Sequence, residues 1–187
     1  MRLFVAFELP AEARQAIAER MAVLRSALPP ARWVEADSLH LTLVFLGEVD
    51  ERRLDAIGAL LAPHFGATPS LRLRLAEPGT FPPGRPARVA WIGVHCEGDL
   101  PDLERRTRAA LERALDRALE NRPYHAHVTV ARPRRPWRPA VVAAFRNALE
   151  GVAGEWTARR ALLMESRLGP DPGRYLVRQE YTLAEAT

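Results

Sequence analysis

Hydrophobic positions along the chain follow two periods. Residues 2–9 form a nearly unbroken apolar run, which predicts a buried strand, and residues 11–27 carry Ala, Ile, Met and Leu at helical spacing until Pro29 and Pro30. Trp33-Val34 reads as a short strand, and residues 39–46 as a longer one that stops at Gly47. Residues 50–63 predict a helix with Asp50 as its N-cap. Leu71, Leu73 and Leu75 alternate with Arg72 and Arg74, the period of a half-exposed strand. Residues 87–95 predict a strand and 99–120 the longest helix. A strand over 126–132, a helix over 137–150, and strands over 155–167 and 174–183 complete the pattern. The Pro- and Gly-rich stretches 78–86 and 169–173 read as loops between strands.

Composition narrows the chemistry. The chain has 187 residues and a net charge of +4, and all 27 of its basic residues are arginine. A composition bias accounts for most of that choice, but its consequence stands. Arginine offers a permanently charged planar fork suited to phosphate. Without lysine there is no Schiff base, no lysine–nucleotide adduct and no Walker-type phosphate loop. Cys96 is the only cysteine, so no disulfide forms within the chain and a cysteine-based zinc site is excluded. A reducing cytoplasm is the expected compartment. No apolar stretch is long enough to span a bilayer, and the opening run carries Glu8, which fits a first strand and not a signal peptide.

One weak internal echo carries the chemistry. Residues 38–47, Ser-Leu-His-Leu-Thr-Leu-Val-Phe-Leu-Gly, resemble residues 125–132, His-Ala-His-Val-Thr-Val-Ala-Arg. Each copy is a strand bearing His-apolar-Thr-apolar, and each lies in its own half of the chain. Residues two apart on a strand share a face, about 6.5–7 Å apart. His40 and Thr42 therefore share one face, and His127 and Thr129 share another, each pair backed by aliphatic residues. One such copy is an ordinary surface pair on a half-buried strand. Two copies suggest lobes facing each other across a cleft. Two imidazoles with ordinary pKa values near 6.5 can act together, one taking a proton and one giving it. In-line displacement at phosphorus needs that, and threonine hydroxyls can donate to the phosphoryl oxygens.

Other features admit more than one reading. His125 and His127 on one strand face could share a metal ion, but no Asp, Glu or Cys cluster stands beside them in sequence. His125 is expected at the rim, and His64 and His95 as structural or surface histidines. Arg132 lies five residues after His127 and points the other way in an ideal strand, reaching the site only if the strand ends or bulges. The run from Pro133 to Pro139, with Trp137 among arginines, suits phosphate contact and base stacking or else a solvated loop.

At whole-chain level the sequence resembles the two-histidine phosphoesterases, specifically the bacterial RNA 2′,3′-cyclic phosphodiesterases, also called 2′-5′ RNA ligases. The residues that carry the resemblance are Arg2 to Ala6, His40 to Gly47, Gly79 to Pro82, Arg88 to Val94, His127 to Arg132, and the tail Glu165 to Leu168 with Gly173 to Tyr175. Ala126 departs from the family, which usually has proline there. The resemblance implies one bilobal α+β domain over residues 1–187, with two pseudo-symmetric lobes of antiparallel sheet, helices outside and a central cleft. It implies hydrolysis of a 2′,3′-cyclic phosphate to a 2′-phosphate end. By motif position, His40 is the proton donor and His127 the proton acceptor. Thr42, Thr129 and Arg132 hold the phosphate, and Phe45 stacks on the terminal base. The resemblance also implies joining of a 5′-hydroxyl to the cyclic phosphate as a 2′-5′ linkage. With no lysine for nucleotide transfer, such joining needs no ATP. No metal and no cofactor are expected, the partner is RNA with a cyclic phosphate end, no membrane is involved, and a monomer is the default. A noncatalytic RNA- or nucleotide-binding module, or a small-nucleotide phosphodiesterase on the same fold, remains as the alternative.

Overall fold

The computed structural model describes residues 1–167 and 175–185. In chain order, β1 is Arg2–Glu8, α1 Ala11–Ala27, β2 Ala31–Trp33, β3 His40–Glu48, α2 Leu54–Gly66, β4 Leu71–Phe81, β5 Val89–Cys96, α3 Leu100–Leu115, β6 His127–Pro133, α4 Pro139–Leu149, β7 Glu155–Ala158, β8 Arg160–Ser166 and β9 Tyr175–Thr182.

The strands form one sheet in the order β7-β4-β5-β6-β3-β1-β8-β9, with β2 added on β6. Every pairing between its named strands is antiparallel. The order is symmetric about the β6–β3 junction. β1-α1-β3-α2-β4 and β5-α3-β6-α4-β8 are two copies of one unit, and they exchange their last strands: β4 pairs with β5, and β8 with β1. The exchange ties each half of the chain to the other. At the junction, Leu41 opposite Val128 is the pair in register. The two half-sheets meet there and part on either side, which makes a cleft.

The helices cover the outer faces. α1 and α4 pack together, with α4 against β4; α2 and α3 pack together, against β9 and β3. α1 buries Ala13, Ile17, Met21 and Leu24, one stripe at helical spacing. It stops at Leu28, whose extended backbone is what a following proline demands. Asp99 caps α3 by accepting from the Asp102 N–H at 2.9 Å, and Pro101 sits in the first turn, where its missing donor costs nothing. Thr107, fully buried on α3, donates to the Leu103 carbonyl at 2.7 Å and so accepts from His64 Nε2 at 2.8 Å. His64 is therefore structural, and its pKa is lowered by burial and then by the charge of Arg106. His95 is exposed.

Several expectations need correction. The 155–167 stretch is not one strand. It breaks at Arg159, and β7 joins β4 while β8 joins β1, in opposite half-sheets. Residues 78–81 are strand, not loop. β4 continues through Pro78 because a register shift between Leu75 and Pro78 accommodates a residue without an N–H. The long helix ends at Leu115, since Asp116 turns left-handed at φ 52°. Arg117 then reaches back to the Leu46 and Glu48 carbonyls. Asp50 caps a short 3-10 turn over Glu51–Arg53, and α2 runs past Pro63 to Gly66. Trp137 is no stacking platform: it is 2 % exposed and packs between Trp33 and Phe145. The proposed loop 169–173, together with Leu168, Gly173 and Arg174 of the tail, lies outside the described residues.

Candidate active site

His40 opens β3 and His127 opens β6, at the junction of the half-sheets. The Leu41–Val128 register sets His40 across from Thr129 and Thr42 across from His127. The two histidines thus lie on a diagonal, and all four side chains face away from the core that holds Leu41 and Val128.

Both imidazoles are fixed by the same device. His40 Nδ1 lies 2.7 Å from the Ser38 carbonyl, and His127 Nδ1 lies 2.6 Å from the His125 carbonyl. A carbonyl only accepts, so Nδ1 carries the proton in each ring. In the neutral form Nε2 is then the basic nitrogen, and in the charged form it is a donor. Burial lowers the pKa of both rings. For His40 the charges of His127 and Arg132 lower it further; for His127 those of His125 and Arg132 do. The backbone hydrogen bonds act in the opposite direction. A proton on His127 thus disfavours one on His40, as expected for groups sharing one site.

Strict alternation would turn Phe45 and Arg132 towards the core, and matched bulges prevent it. On β3, Thr42 pairs with Ala6 and Val44 with Val5, which leaves Leu43 as an extra residue. On β6, Thr129 pairs with Trp91 and Ala131 with Ala90, which leaves Val130 extra. Leu43 and Val44 are consequently both buried, as are Val130 and Ala131, and the next residue returns to the cleft face. Arg132 acts electrostatically on His40, His127 and Tyr175 together. Phe45 is 49 % exposed, with its ring 6.0 Å from Phe4. The two residues hold equivalent positions in the two repeats.

Four aromatic neighbours lie in stretches that carry the family resemblance but had no site role assigned to them. Phe4 and Tyr175 lie 4.9 and 4.8 Å from the His40 ring. Phe81 and Trp91 lie 5.2 and 5.9 Å from the His127 ring. Burial raises the Tyr175 pKa, and the charge of Arg132 opposes that. Tyr124 was missed too. Its hydroxyl donates to the Thr42 carbonyl at 3.1 Å and ties the approach to β6 onto β3. His125 is exposed, with its ring 6.2 Å from that of His127. Among the described residues no group of three or more His, Cys, Asp or Glu side chains is placed to hold an ion.

The chain is similar to known proteins in sequence and in fold. The family model of the 2′-5′ RNA ligase superfamily matches residues 9–170. The chain belongs to that superfamily. A member from Archaeoglobus fulgidus, named RNA 2′,3′-cyclic phosphodiesterase, is 34% identical over 91% of this chain and 93% of its own. A Geobacillus stearothermophilus protein of the same name is 34% identical over 69% of this chain, which spans 41% of that relative's length. A solved structure from Thermus thermophilus covers 100% of both chains at a TM-score of 0.81 and 28% identity. The α+β fold of two sheet lobes around a cleft is thus the superfamily's. No helix among the described residues is long and apolar enough to cross a membrane.

Proposed function

We propose that this chain opens 2′,3′-cyclic phosphates at RNA ends and leaves a 2′-phosphate, with His40 as proton donor and His127 as proton acceptor. The observation that carries it is the matched anchoring of the imidazoles. Each Nδ1–H is held by a carbonyl two residues upstream, which reserves each Nε2 for proton transfer. The activity named for the superfamily relatives supports the same reading.

The proposed steps are these. His127 Nε2 takes a proton from water as its oxygen attacks phosphorus. The P–O3′ bond breaks on the opposite side, and His40 Nε2–H protonates the departing oxygen. Charge on the phosphoryl oxygens is met by Arg132 and by the Thr42 and Thr129 hydroxyls. Phe45, on the exposed rim beside Phe4, offers a face for the terminal base. His127 ends protonated and His40 neutral, and exchange with solvent resets the pair. No metal or cofactor takes part. A 5′-hydroxyl in place of water gives joining, driven by the strained cyclic phosphate, and abundant water makes hydrolysis the main outcome.

The test is a short RNA ending in a 2′,3′-cyclic phosphate, incubated with EDTA and without ATP, followed by end-group identification. A 2′-phosphate end is expected. An unchanged end, or turnover that EDTA abolishes and zinc restores, overturns the proposal.

The pH profile tests the pairing. Turnover needs one proton shared between the two imidazoles. Above both pKa values neither Nε2 carries a proton, and below both each Nε2 does, so kcat/KM falls on either side. Because both values are lowered from 6.5, the optimum of kcat/KM is expected below pH 6.5. An optimum at pH 8, or a profile with a single limb, contradicts an acid/base pair of histidines.

A further inference from the structure

The cleft has two aromatic clusters, one beside each histidine, and the function proposed above uses only one. Around His40 stand Phe4, Tyr175 and Phe45. Around His127 stand Phe81, Trp91 and His125. Trp91 lies 4.5 Å from the His125 ring and 5.1 Å from Phe81, and Phe81 lies 5.6 Å from His125. All three side chains are partly or largely exposed.

The sheet is shaped to hold Trp91 in place. Gly79 lies opposite it on β4, and a Cβ there would fall 2.2 Å from the indole ring. The ring therefore lies across the β4 backbone, which only glycine permits. Its Nε1 is buried without a hydrogen-bond partner among the described residues. What the half-buried side chain still offers is carbon surface, which suits stacking and not hydrogen bonding.

In-line displacement assigns this surface an occupant. The attacking and leaving oxygens sit on opposite sides of phosphorus. The nucleoside that owns the leaving O3′ lies on the His40 side, where His40 protonates that oxygen. A nucleophile arrives on the His127 side. Water needs no aromatic platform, but a 5′-hydroxyl carries a nucleoside with it. We propose that Phe81, Trp91 and His125 form a second nucleoside site, which stacks the 5′-terminal base of an RNA whose 5′-hydroxyl attacks the cyclic phosphate. This rests on the acid and base roles proposed above. The step balances without a co-reactant: His127 takes the 5′-hydroxyl proton, the O5′–P bond forms, the P–O3′ bond breaks, and O3′ takes a proton from His40.

The readout is the ratio of joined to hydrolysed product from one cyclic-phosphate RNA at fixed acceptor concentration. Two acceptors are compared, a 5′-hydroxyl RNA and the same RNA lacking its 5′-terminal base. With the unaltered protein, the intact acceptor is expected to give about tenfold more joining per hydrolysis, the scale of one base stacked on an aromatic ring. Trp91→Ala should bring the intact acceptor down to the abasic ratio, and Trp91→Phe should restore most of the difference. Equal ratios for the two acceptors in the unaltered protein overturn the site, and that comparison stands even if Trp91→Ala does not fold. A Trp91→Ala protein that keeps the ratio but binds the cyclic-phosphate RNA more weakly also overturns it, by assigning the cluster to the other nucleoside. Failure of the unaltered protein to open the cyclic phosphate at all would defeat the underlying function instead.

Discussion

Replacing His127 with alanine is expected to lower the rate of the proposed cyclic-phosphate opening by about 10²-fold or more, and His40→Ala to do the same. The size follows from the role proposed for each ring. Without a base at 127, the attacking water must lose its proton to solvent. Without an acid at 40, O3′ must leave as a bare alkoxide. Neither change should unfold the protein, because both rings are only part-buried and face the cleft, and each is tied to its own strand's approach through one backbone carbonyl. The double variant should be little worse than either single one, because two groups that act in one proton relay do not contribute independently. Single-turnover rates on a cyclic-phosphate dinucleotide, with far-ultraviolet circular dichroism as the fold control, check this. Full activity in either single variant removes that histidine from the chemistry. Two modest losses that multiply in the double variant would point to positioning instead.

The parts of this site legible in the sequence are those set by period alone. His40 with Thr42, and His127 with Thr129, share faces because alternation holds over two residues. Phe45 and Arg132 were not legible from period, because alternation fails three residues later. The bulges at Leu43 and Val130 depend on the partner strands, where Val5–Ala6 and Ala90–Trp91 run without the extra residue. Only the resemblance to known phosphoesterases put Arg132 near the phosphate, against the ideal geometry of its strand. The break at Arg159 has a similar cause: nothing local ends a strand there, and the two halves part because β4 and β1 compete for them from opposite sides. Trp137 misled by its neighbours. Arg134, Arg135 and Arg138 are exposed around it, but the β-bridge between Ala87 and Trp137 turns the indole inward. The aromatic neighbours of each histidine come from strands far away in sequence, so no window along the chain could have assembled them.

The same topology makes Leu41 the residue where stability and the proposed catalysis meet. Leu41 and Val128 are 0 % exposed and face each other at the junction of the half-sheets, directly behind the histidines. Leu41→Ala removes apolar surface from the core and leaves a cavity at the seam, which should destabilise the fold by about 2–5 kcal/mol. Away from this pair, β2 joins the far end of β6, and Arg117 donates to the Leu46 and Glu48 carbonyls at the far end of β3. Tyr124 reaches the Thr42 carbonyl from the β6 side, and the exchanged strands β4 and β8 bind the halves further out. Loosening the seam should therefore let His40 drift relative to His127, and kcat should fall with little change in KM. Val23→Ala is the comparison. Val23 is 66 % exposed on α1, and its loss should change stability by no more than about 0.5 kcal/mol and leave kcat alone. Urea unfolding and steady-state kinetics at a temperature where both variants are folded separate the two effects. If Leu41→Ala is destabilised as expected but keeps its kcat, the bulged strands alone fix the histidines, and the seam serves only stability. If kcat falls in step with the lost stability across a series of Ala, Val and Ile at position 41, the distance between the half-sheets is what sets the alignment of the two imidazoles.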